Sequence, residues 1–274
     1  MNLADIKLIA TDMDGTLLDT KGNVHPKFFH LYKELKKHDI HFVAASGRQY
    51  HSIVSKLDQI KDEITVIAEN GAVTKKQEDV LLLTGLTKQE VEDLVTMLRA
   101  FNDNEIFYVL CGKNQAYIEQ QDENFINFFQ EYYFKFQLVE DLCKVENDDF
   151  LKIAIFCAKG SENHLYPKVK HLEGKLQVKV SGEVWLDLSH MNANKGFALS
   201  KLQNQLGISQ EETLVFGDYN NDLEMFAQAG ISIAMKNAHP NILNAATYIT
   251  KSNDEQGVEH ILEQLLEAKL NKFK

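Results

Sequence analysis

The sequence has few cysteines, few prolines and no long apolar run. Its 3 cysteines, Cys111, Cys143 and Cys157, are odd in number and lack metal-ligand spacing, so they indicate neither a disulfide framework nor a zinc site. This usage favours a reducing, cytoplasmic location, and the N-terminal residues lack the pattern of a signal peptide. A membrane-spanning helix needs about 20 consecutive apolar residues, and the sequence offers no such stretch. We therefore expect no membrane partner.

Positive charge is also scarce. The 274 residues include 29 Lys plus Arg against 40 Asp plus Glu, which gives a formal net charge of −11. The basic residues are scattered and form no run longer than a pair such as Lys36-Lys37. Such a chain repels the phosphate backbone, so we expect no nucleic-acid partner. An anionic substrate would require a metal ion or a few well-placed cations.

With 44% hydrophobic and 25% charged residues, the chain has the composition of a globular protein. Its length of 274 residues corresponds to one large or two ordinary domains. Residues 1–83 alternate short apolar runs with amphipathic stretches. The runs Ile6–Thr11, His41–Ala45 and Ile64–Ala68 predict strands, and Pro26 begins a helical pattern. This alternation indicates an α/β fold with a parallel sheet covered by helices.

Between residues 84 and 188 the pattern changes. Thr87 and Glu90 have the spacing of a capping box, and Gly112 with Asn114 suits an antiparallel hairpin. Aromatic residues at helical spacing follow, and we expect them to form a core on a sheet: Phe125, Phe128, Phe129, Tyr132 and Tyr133. Ser161–Leu172 predicts a further helix, and Ser252 with Glu255 predicts a cap on the last helix. We therefore predict an inserted α+β domain at 84–188 within a core formed by 1–83 and 189–274.

Two carboxylates follow the first predicted strand, in the segment Asp12-Met13-Asp14-Gly15-Thr16. The carboxyl edge of a parallel sheet is where such folds bind ligands. Closely spaced carboxylates repel each other unless a cation or shared proton compensates, and Mg²⁺ would serve. Asp12 could then act as a nucleophile and Asp14 as a general acid and base. The alternative is a pair of aspartates in an ordinary loop or helix cap.

Three further segments place polar groups at element ends. Ser46-Gly47-Arg48 follows the second strand, where a hydroxyl and backbone amides can hold a phosphate oxygen, although a simple helix start has the same sequence. Lys195 lies near the start of a predicted helix, where it offers a cation or is merely solvated. Asp218, Asn221 and Asp222 follow the predicted strand Thr213–Phe216 and provide the oxygen ligands that suit Mg²⁺.

Taken together, these segments resemble the motifs of the haloacid dehalogenase superfamily of hydrolases. Asp12-Met13-Asp14-Gly15-Thr16 resembles the first motif, Ser46 the second, Lys195 the third, and Gly217-Asp218 with Asn221-Asp222 the fourth. The position of the insert and the segment Glu69-Asn70-Gly71-Ala72 are similar to the Cof-like subgroup with a large (class IIB) α/β cap. The resemblance implies a Rossmann-like parallel-sheet core, and a cap at 84–188 that covers the site and shapes it for the leaving group.

The resemblance also implies roles for individual residues. Asp12 would be the nucleophile and a metal ligand, and Asp14 the general acid and base with its backbone carbonyl on the metal. Asp218 would complete the protein ligands of one Mg²⁺, and Asp222 would orient Lys195 or a metal-bound water. Five residues would hold the transferring phosphoryl group: Met13 and Gly47 through backbone amides, and Ser46, Lys195 and Asn221.

The predicted function is a Mg²⁺-dependent phosphatase that hydrolyses a small phosphorylated metabolite, a sugar phosphate or a phosphorylated cofactor, through an aspartyl-phosphate. A phosphomutase stays open, because the same intermediate can pass its phosphoryl group to a sugar hydroxyl. A non-catalytic phosphate-binding or sensing protein is a third possibility, but it would have no need of Asp14. We expect a monomer or a weak homodimer.

Overall fold

The computed structural model describes residues 2–101, 103–130, 133 and 135–272, and the chain divides into two compact units. Unit 1 combines the residues up to Leu83 with those from Asn194 onward, and unit 2 is Thr84–Ala193. Within the ranges just given, no helix has both the length and the apolar composition needed to span a bilayer.

The first part of unit 1 alternates strands and helices. Its elements are β1 (Leu8–Asp12), α1 (Pro26–Lys36), β2 (His41–Ala45), α2 (Tyr50–Lys56), β3 (Thr65–Ala68), β4 (Val73–Lys76) and β5 (Asp79–Leu83). Pro26 begins α1 as predicted, because its fixed φ suits the first helical turn. The hairpin of β4 and β5 was not predicted, since Lys75 and Lys76 interrupt the apolar pattern of its first strand.

Unit 2 has a mixed order of elements. These are α3 (Lys88–Arg99), β6 (Ile106–Gly112), β7 (Ala116–Ile118), α4 (Glu123–Phe129), β8 (Phe136–Leu138), β9 (Phe150–Cys157), α5 (Tyr166–Val169), β10 (Leu176–Val180) and β11 (Trp185–His190). The capping box of Thr87 and Glu90 is confirmed. The single helix predicted for Ser161–Leu172 is wrong: a π-helical turn precedes α5 and a 3₁₀ turn follows it. Pro167 explains the break, because it has no N–H to continue a regular helix from the preceding turn.

The second part of unit 1 returns to helices and strands. Its elements are α6 (Lys195–Leu206), β12 (Thr213–Gly217), α7 (Leu223–Phe226), β13 (Ile231–Ala234), α8 (Pro240–Ala245), β14 (Tyr248–Ile249) and α9 (Gly257–Lys272). This part begins a few residues after the predicted boundary at 189, because β11 continues to His190. The predicted cap on α9 is wrong, since Ser252 and Glu255 exchange hydrogen bonds in a turn that ends before Gly257.

The sheet of unit 1 has the strand order β14-β13-β12-β1-β2-β3-β4-β5. Its pairs from β14 to β3 are parallel, and the hairpin strands β4 and β5 pair antiparallel at one edge. Asp12 lies opposite Ala45 of β2, and the preceding Thr11 lies opposite Phe216 of β12. The carboxyl ends of β1, β2 and β12 are therefore adjacent, and the residues that follow these strands lie at one edge of the sheet.

The sheet of unit 2 has the order β10-β11-β9-β6-β7-β8, antiparallel except for the pair β7 and β8. Successive side chains of β6 enter different apolar clusters, because neighbouring residues of a strand point to opposite faces. The aromatic residues of α4 form one cluster: Phe125 and Phe129 are buried, and Phe125 stacks on Phe107 at 4.4 Å. The predicted core role of this helix face is confirmed, whereas Tyr132 lies outside the described residues.

Candidate active site

A buried lysine connects two aspartates from distant parts of the chain. Asp12 is the last residue of β1, Lys195 is the first residue of α6, and Asp222 directly precedes α7. Lys195 Nζ donates to Asp12 Oδ1 at 2.5 Å and to Asp222 Oδ1 at 2.7 Å. The side chains of Lys195 and Asp222 are 0% exposed and that of Asp12 is 7% exposed. Three charges thus meet out of contact with bulk water.

The environment of these groups shifts their pKa values. Burial, together with the charges of Asp222 and Asp218, holds the pKa of Asp12 well above its usual range, although Lys195 opposes this rise. Burial and then the charge of Asp222 raise the pKa of Asp218 to about 6. Burial by itself would lower the pKa of Lys195, but the two aspartates outweigh it and raise that pKa. The cluster holds more carboxylates than positive charges, which is a setting that attracts a cation.

The oxygen atoms of this cluster fit a hard divalent cation. Asp12, Asp218 and Asp222 each offer a carboxylate oxygen, and these oxygens lie within 4.8 Å of one another. Both carboxylate oxygens of Asp222 already accept hydrogen bonds. Its Oδ1 accepts from Lys195, and its Oδ2 accepts from the backbone amides of Asp218 and Tyr219 at 3.0 and 3.2 Å. Asp12 and Asp218 retain more lone pairs for a metal, and an all-oxygen donor set suits Mg²⁺.

Two glycines allow the loops to approach these carboxylates. Gly15 has a φ of +76°, and a Cβ built on it would lie 2.3 Å from Asp218 Oδ2. A Cβ on Gly217 would lie 2.5 Å from Asp222 Oδ2. A side chain at either position would have to displace one of these carboxylates, and the positive φ at Gly15 disfavours one independently. Gly15 and Gly217 therefore make room for the carboxylates of Asp218 and Asp222.

The carboxylate of Asp14 is not part of this cluster and pairs with Arg48. Arg48 Nε donates to Asp14 Oδ2 at 2.7 Å and Nη2 donates to Oδ1 at 2.6 Å, which is a bidentate pair. Hydrogen bonding to Asp14 raises the pKa of Arg48. The Asp14 side chain is 53% exposed. Sequence reasoning quoted Arg48 in the motif Ser46-Gly47-Arg48 but assigned it no role; its proximity to Asp14 depends on the pairing of β1 with β2.

Asn70, which follows β3, lies between the loop after β2 and the loop after β12; the sequence quoted it only within the segment Glu69-Asn70-Gly71-Ala72 and assigned it no role. Asn221 Nδ2 donates to Asn70 Oδ1 at 3.1 Å, and a Cβ on Gly47 would lie 3.1 Å from Asn70 Nδ2. Ser46 is buried, and its Oγ accepts from the backbone amide of Arg48 at 3.1 Å. Asn70 has a φ of 54°, a left-handed conformation that asparagine tolerates better than most residues. The Asn70-Gly71 dipeptide, which is typical of turns, was the available sequence signal.

The predicted site residues all lie at the carboxyl edge of β1, β2 and β12 or at the start of α6. Met13 is buried between Asp12 and Asp14, and its carbonyl accepts from the backbone amides of Thr16 and Leu18. Contacts join Asp12, Lys195 and Asp222 in one group, Asp14 and Arg48 in a second, and Asn221 and Asn70 in a third. Their arrangement places the carboxylates of Asp12 and Asp14 and the buried ammonium group of Lys195 near one strand end.

Comparison with known proteins identifies the family. The sequence profile of the haloacid dehalogenase-like hydrolases matches residues 9–262. The 5-amino-6-(5-phospho-D-ribitylamino)uracil phosphatase YbjI of Escherichia coli strain K12 is 34% identical over 268 residues, covering 95% of this chain and 96% of that protein. Phosphatase YwpJ of Bacillus subtilis strain 168 is 30% identical, covering 95% of this chain and 100% of that protein.

A solved structure agrees with these relatives. The haloacid dehalogenase-like hydrolase from B. subtilis superposes with a TM-score of 0.80 at 27% identity and covers 94% of this chain and 99% of its own. The chain belongs to the haloacid dehalogenase-like hydrolases. The predicted family and α/β fold are therefore confirmed, as is the prediction of an enzyme that hydrolyses phosphate esters.

Proposed function

We propose that this hydrolase is a Mg²⁺-dependent phosphatase that acts on small phosphorylated metabolites through an aspartyl-phosphate on Asp12. The observation that carries the proposal is the buried group of Asp12, Lys195 and Asp222 beside Asp218 at the carboxyl edge of the sheet. Phosphoryl transfer is catalysed mainly by positioning and by positive charge on the phosphoryl oxygens. This corner of the sheet can supply both.

The cation would be held by the carboxylates of Asp12 and Asp218 and by the backbone carbonyl of Asp14. When bound, Mg²⁺ supplies positive charge that neutralises the oxygens of the transferring phosphoryl group. Asp222 would act through Lys195 rather than as a metal ligand, because both of its oxygens already accept hydrogen bonds. Five groups hold the phosphoryl oxygens: the Ser46 hydroxyl, the Lys195 ammonium, the Asn221 amide and the backbone amides of Met13 and Gly47.

In the first step, a carboxylate oxygen of Asp12 attacks phosphorus. A bond forms between that oxygen and phosphorus while the bond from phosphorus to the leaving oxygen breaks. Protonated Asp14 donates its proton to the leaving oxygen, which departs as an alcohol. The Asp14 carboxyl group is half-exposed and therefore accessible to a substrate.

In the second step, the now ionised Asp14 takes a proton from water as that water attacks phosphorus. The bond between phosphorus and Asp12 breaks, which releases inorganic phosphate and restores the carboxylate of Asp12. Arg48 donates two hydrogen bonds to the ionised form of Asp14 and so stabilises it between the two proton transfers.

The substrate class follows from the relatives rather than from the site. YbjI is named for a phosphorylated ribitylaminouracil, which combines a sugar-like phosphate with a heterocycle. We therefore propose a sugar phosphate or a phosphorylated cofactor or cofactor precursor as the substrate. The reducing cytoplasm stays our expectation for the location, and it is consistent with Cys111, Cys143 and Cys157, which form no disulfide with one another.

The test measures phosphate release and looks for the covalent intermediate. We expect release from sugar phosphates and phosphorylated cofactors with Mg²⁺, no release in EDTA, and none from Asp12→Asn. Asp14→Asn given 4-nitrophenyl phosphate should accumulate a phosphorylated protein, because this leaving group needs little protonation while water lacks its base. Mass spectrometry after acid quench detects the adduct, and Asp12→Asn/Asp14→Asn is the control. Turnover that survives EDTA or Asp12→Asn contradicts the mechanism, and transfer to a sugar hydroxyl identifies a mutase.

A further inference from the structure

The segment that follows Asp12 folds back on itself. Met13 O accepts from the backbone amides of Thr16 at 3.3 Å and Leu18 at 2.8 Å, so Asp14 and Gly15 lie at the outer end of a tight turn. The Asp14 side chain is 53% exposed and bonds to Arg48, whose side chain is itself 35% exposed. Packing therefore does little to place the carboxyl group of Asp14, and its position depends on how firmly its main chain is held.

Two asparagines from a distant part of unit 1 hold that main chain. Asn237 Nδ2 donates to Gly15 O at 2.8 Å, and Asn253 Nδ2 donates to Leu18 O at 2.9 Å. The backbone amide of Asn253 in turn donates to Asn237 Oδ1 at 3.1 Å, which joins the two asparagines. Asn237 follows β13, and Asn253 lies in the turn that precedes α9.

The hydrogen bonds of Asn237 admit a single orientation of its amide group. A backbone amide can only donate, so the atom facing Asn253 N must be the oxygen. A carbonyl can only accept, so the atom facing Gly15 O must be the nitrogen. Gly15 also lies against Asp218, because a Cβ built on it would be 2.3 Å from Asp218 Oδ2. The main chain beside Asp14 is thus next to both Asn237 and Asp218.

A further bond extends this attachment along the loop. The backbone amide of Thr20 donates to Asp254 Oδ1 at 2.9 Å, next to Asn253. The turn of Ser252 to Glu255, which the sequence predicted as a helix cap, is therefore a support for the loop that carries the acid-base residue. Neither asparagine contacts the Asp12 carboxylate through a described hydrogen bond.

We propose that Asn237 and Asn253 are positioning residues that hold the Asp14 main chain so that its carboxyl group reaches the leaving oxygen. This inference rests on the proposed function, because it assumes that Asp14 protonates the leaving group. Loss of either asparagine frees a carbonyl of the loop and lets Asp14 move, and a misplacement of about 1 Å can cost about a hundredfold in rate. The nucleophile at the end of β1 stays in place.

The test uses the dependence of kcat/KM on the leaving group. Substituted phenyl phosphates, from 4-nitrophenyl to unsubstituted phenyl phosphate, keep the binding mode constant while the leaving oxygen becomes more basic. Protonation by Asp14 matters most for the basic leaving groups, so its loss steepens this dependence. The variants are Asn237→Ala, Asn253→Ala and the pair together, with Asp14→Asn as the reference. Asn244→Ala is the control, because Asn244 is exposed on α8 of the same unit.

We expect Asn237→Ala and Asn253→Ala to lower kcat/KM for phenyl phosphate about tenfold more than for 4-nitrophenyl phosphate, while Asn244→Ala changes neither. A merely structural role would lower both values by the same factor, and far-UV circular dichroism with thermal melts monitors folding separately. If Asp14→Asn steepens the dependence and the asparagine variants do not, the positioning role is overturned and the proposed function stands. If Asp14→Asn itself leaves the dependence unchanged, the acid role of Asp14 fails, and this inference fails with it.

Discussion

Replacing Lys195 by methionine should destabilise unit 1 strongly. Methionine has nearly the same volume as lysine, so Lys195→Met removes the charge without leaving a large cavity. Lys195 Nζ bonds to Asp12 and Asp222 at 2.5 and 2.7 Å, and the variant leaves both carboxylates buried without their cation. Removing one partner of a buried ion pair costs about 3–5 kcal/mol, because the remaining charge is neither solvated nor paired.

A Coulomb estimate gives a similar magnitude. The carboxylate oxygens of Asp12, Asp218 and Asp222 lie within 4.8 Å of one another. At an effective dielectric constant of about 20, two unit charges at that distance repel by about 3.5 kcal/mol, a repulsion that Lys195 offsets in the parent and that the variant leaves uncompensated. We therefore expect the free energy of unfolding to fall by about 3–5 kcal/mol at pH 7.5 in EDTA, where no divalent cation compensates.

The assay is urea unfolding followed by far-UV circular dichroism. Lys201→Met, on the same helix and exposed, is the control and should change the free energy of unfolding by no more than about 0.5 kcal/mol. Lys195→Met/Asp222→Asn should recover part of the loss, because it removes one of the repelling charges. Equal destabilisation by Lys195→Met and Lys201→Met, or a double variant as unstable as the sum of its singles, would refute the electrostatic reasoning.

Three further predictions concern other parts of the chain. Gly15→Ala should lower the free energy of unfolding by about 1–3 kcal/mol and also lower kcat, because it adds backbone strain and a contact with Asp218. Gly207→Ala is the control, because Gly207 also has a positive φ but has no atom near a built Cβ. In urea unfolding and kinetic assays, Gly207→Ala should lower the free energy of unfolding without lowering kcat. Burial by itself would raise the pKa of Glu119, but hydrogen bonds from Arg99, the Leu142 amide and Tyr108 outweigh burial and lower that pKa. Glu119 therefore stabilises unit 2 above about pH 4.3, and this stabilisation is lost as the pH falls through the lowered pKa. Glu119→Gln should therefore melt at a lower temperature than the parent at pH 7, and its melting temperature should fall less than the parent's between about pH 5 and pH 3. Glu140→Gln, at an exposed position, should match the parent. A melting temperature that differs from the parent's by the same amount at every pH would contradict the assignment. Burial raises the pKa of Glu259, so the charged form of Glu259 lowers stability at neutral pH. Calorimetry should therefore show a higher melting temperature for Glu259→Gln than for the parent at pH 7, and this difference should shrink on acidification. Glu267→Gln, which is exposed on the same helix, should not raise the melting temperature.

Local sequence signals determined much of the architecture. Apolar runs ended by polar residues located β1, β2 and β12, and the alternation with helices indicated parallel pairing. Because parallel strands have their carboxyl ends at one edge, the sequence also determined that Asp12, Ser46 and Asp218 lie near one another. Helix termini were equally local: the Asn194 side chain accepts from the Phe197 amide, and Gly207 ends α6 in a left-handed conformation.

Only the tertiary structure decided which side chains pair across the site. Lys195 and Asp12 are 183 positions apart, and their contact depends on how α6 packs onto the sheet of unit 1. The same holds for Arg48 with Asp14 and for Asn237 with Gly15. A pattern of residue types locates the end of an element. The pattern does not predict the strand register, backbone direction and side-chain rotamers that bring two such ends within hydrogen-bond distance. These features result from the packing of the whole of unit 1.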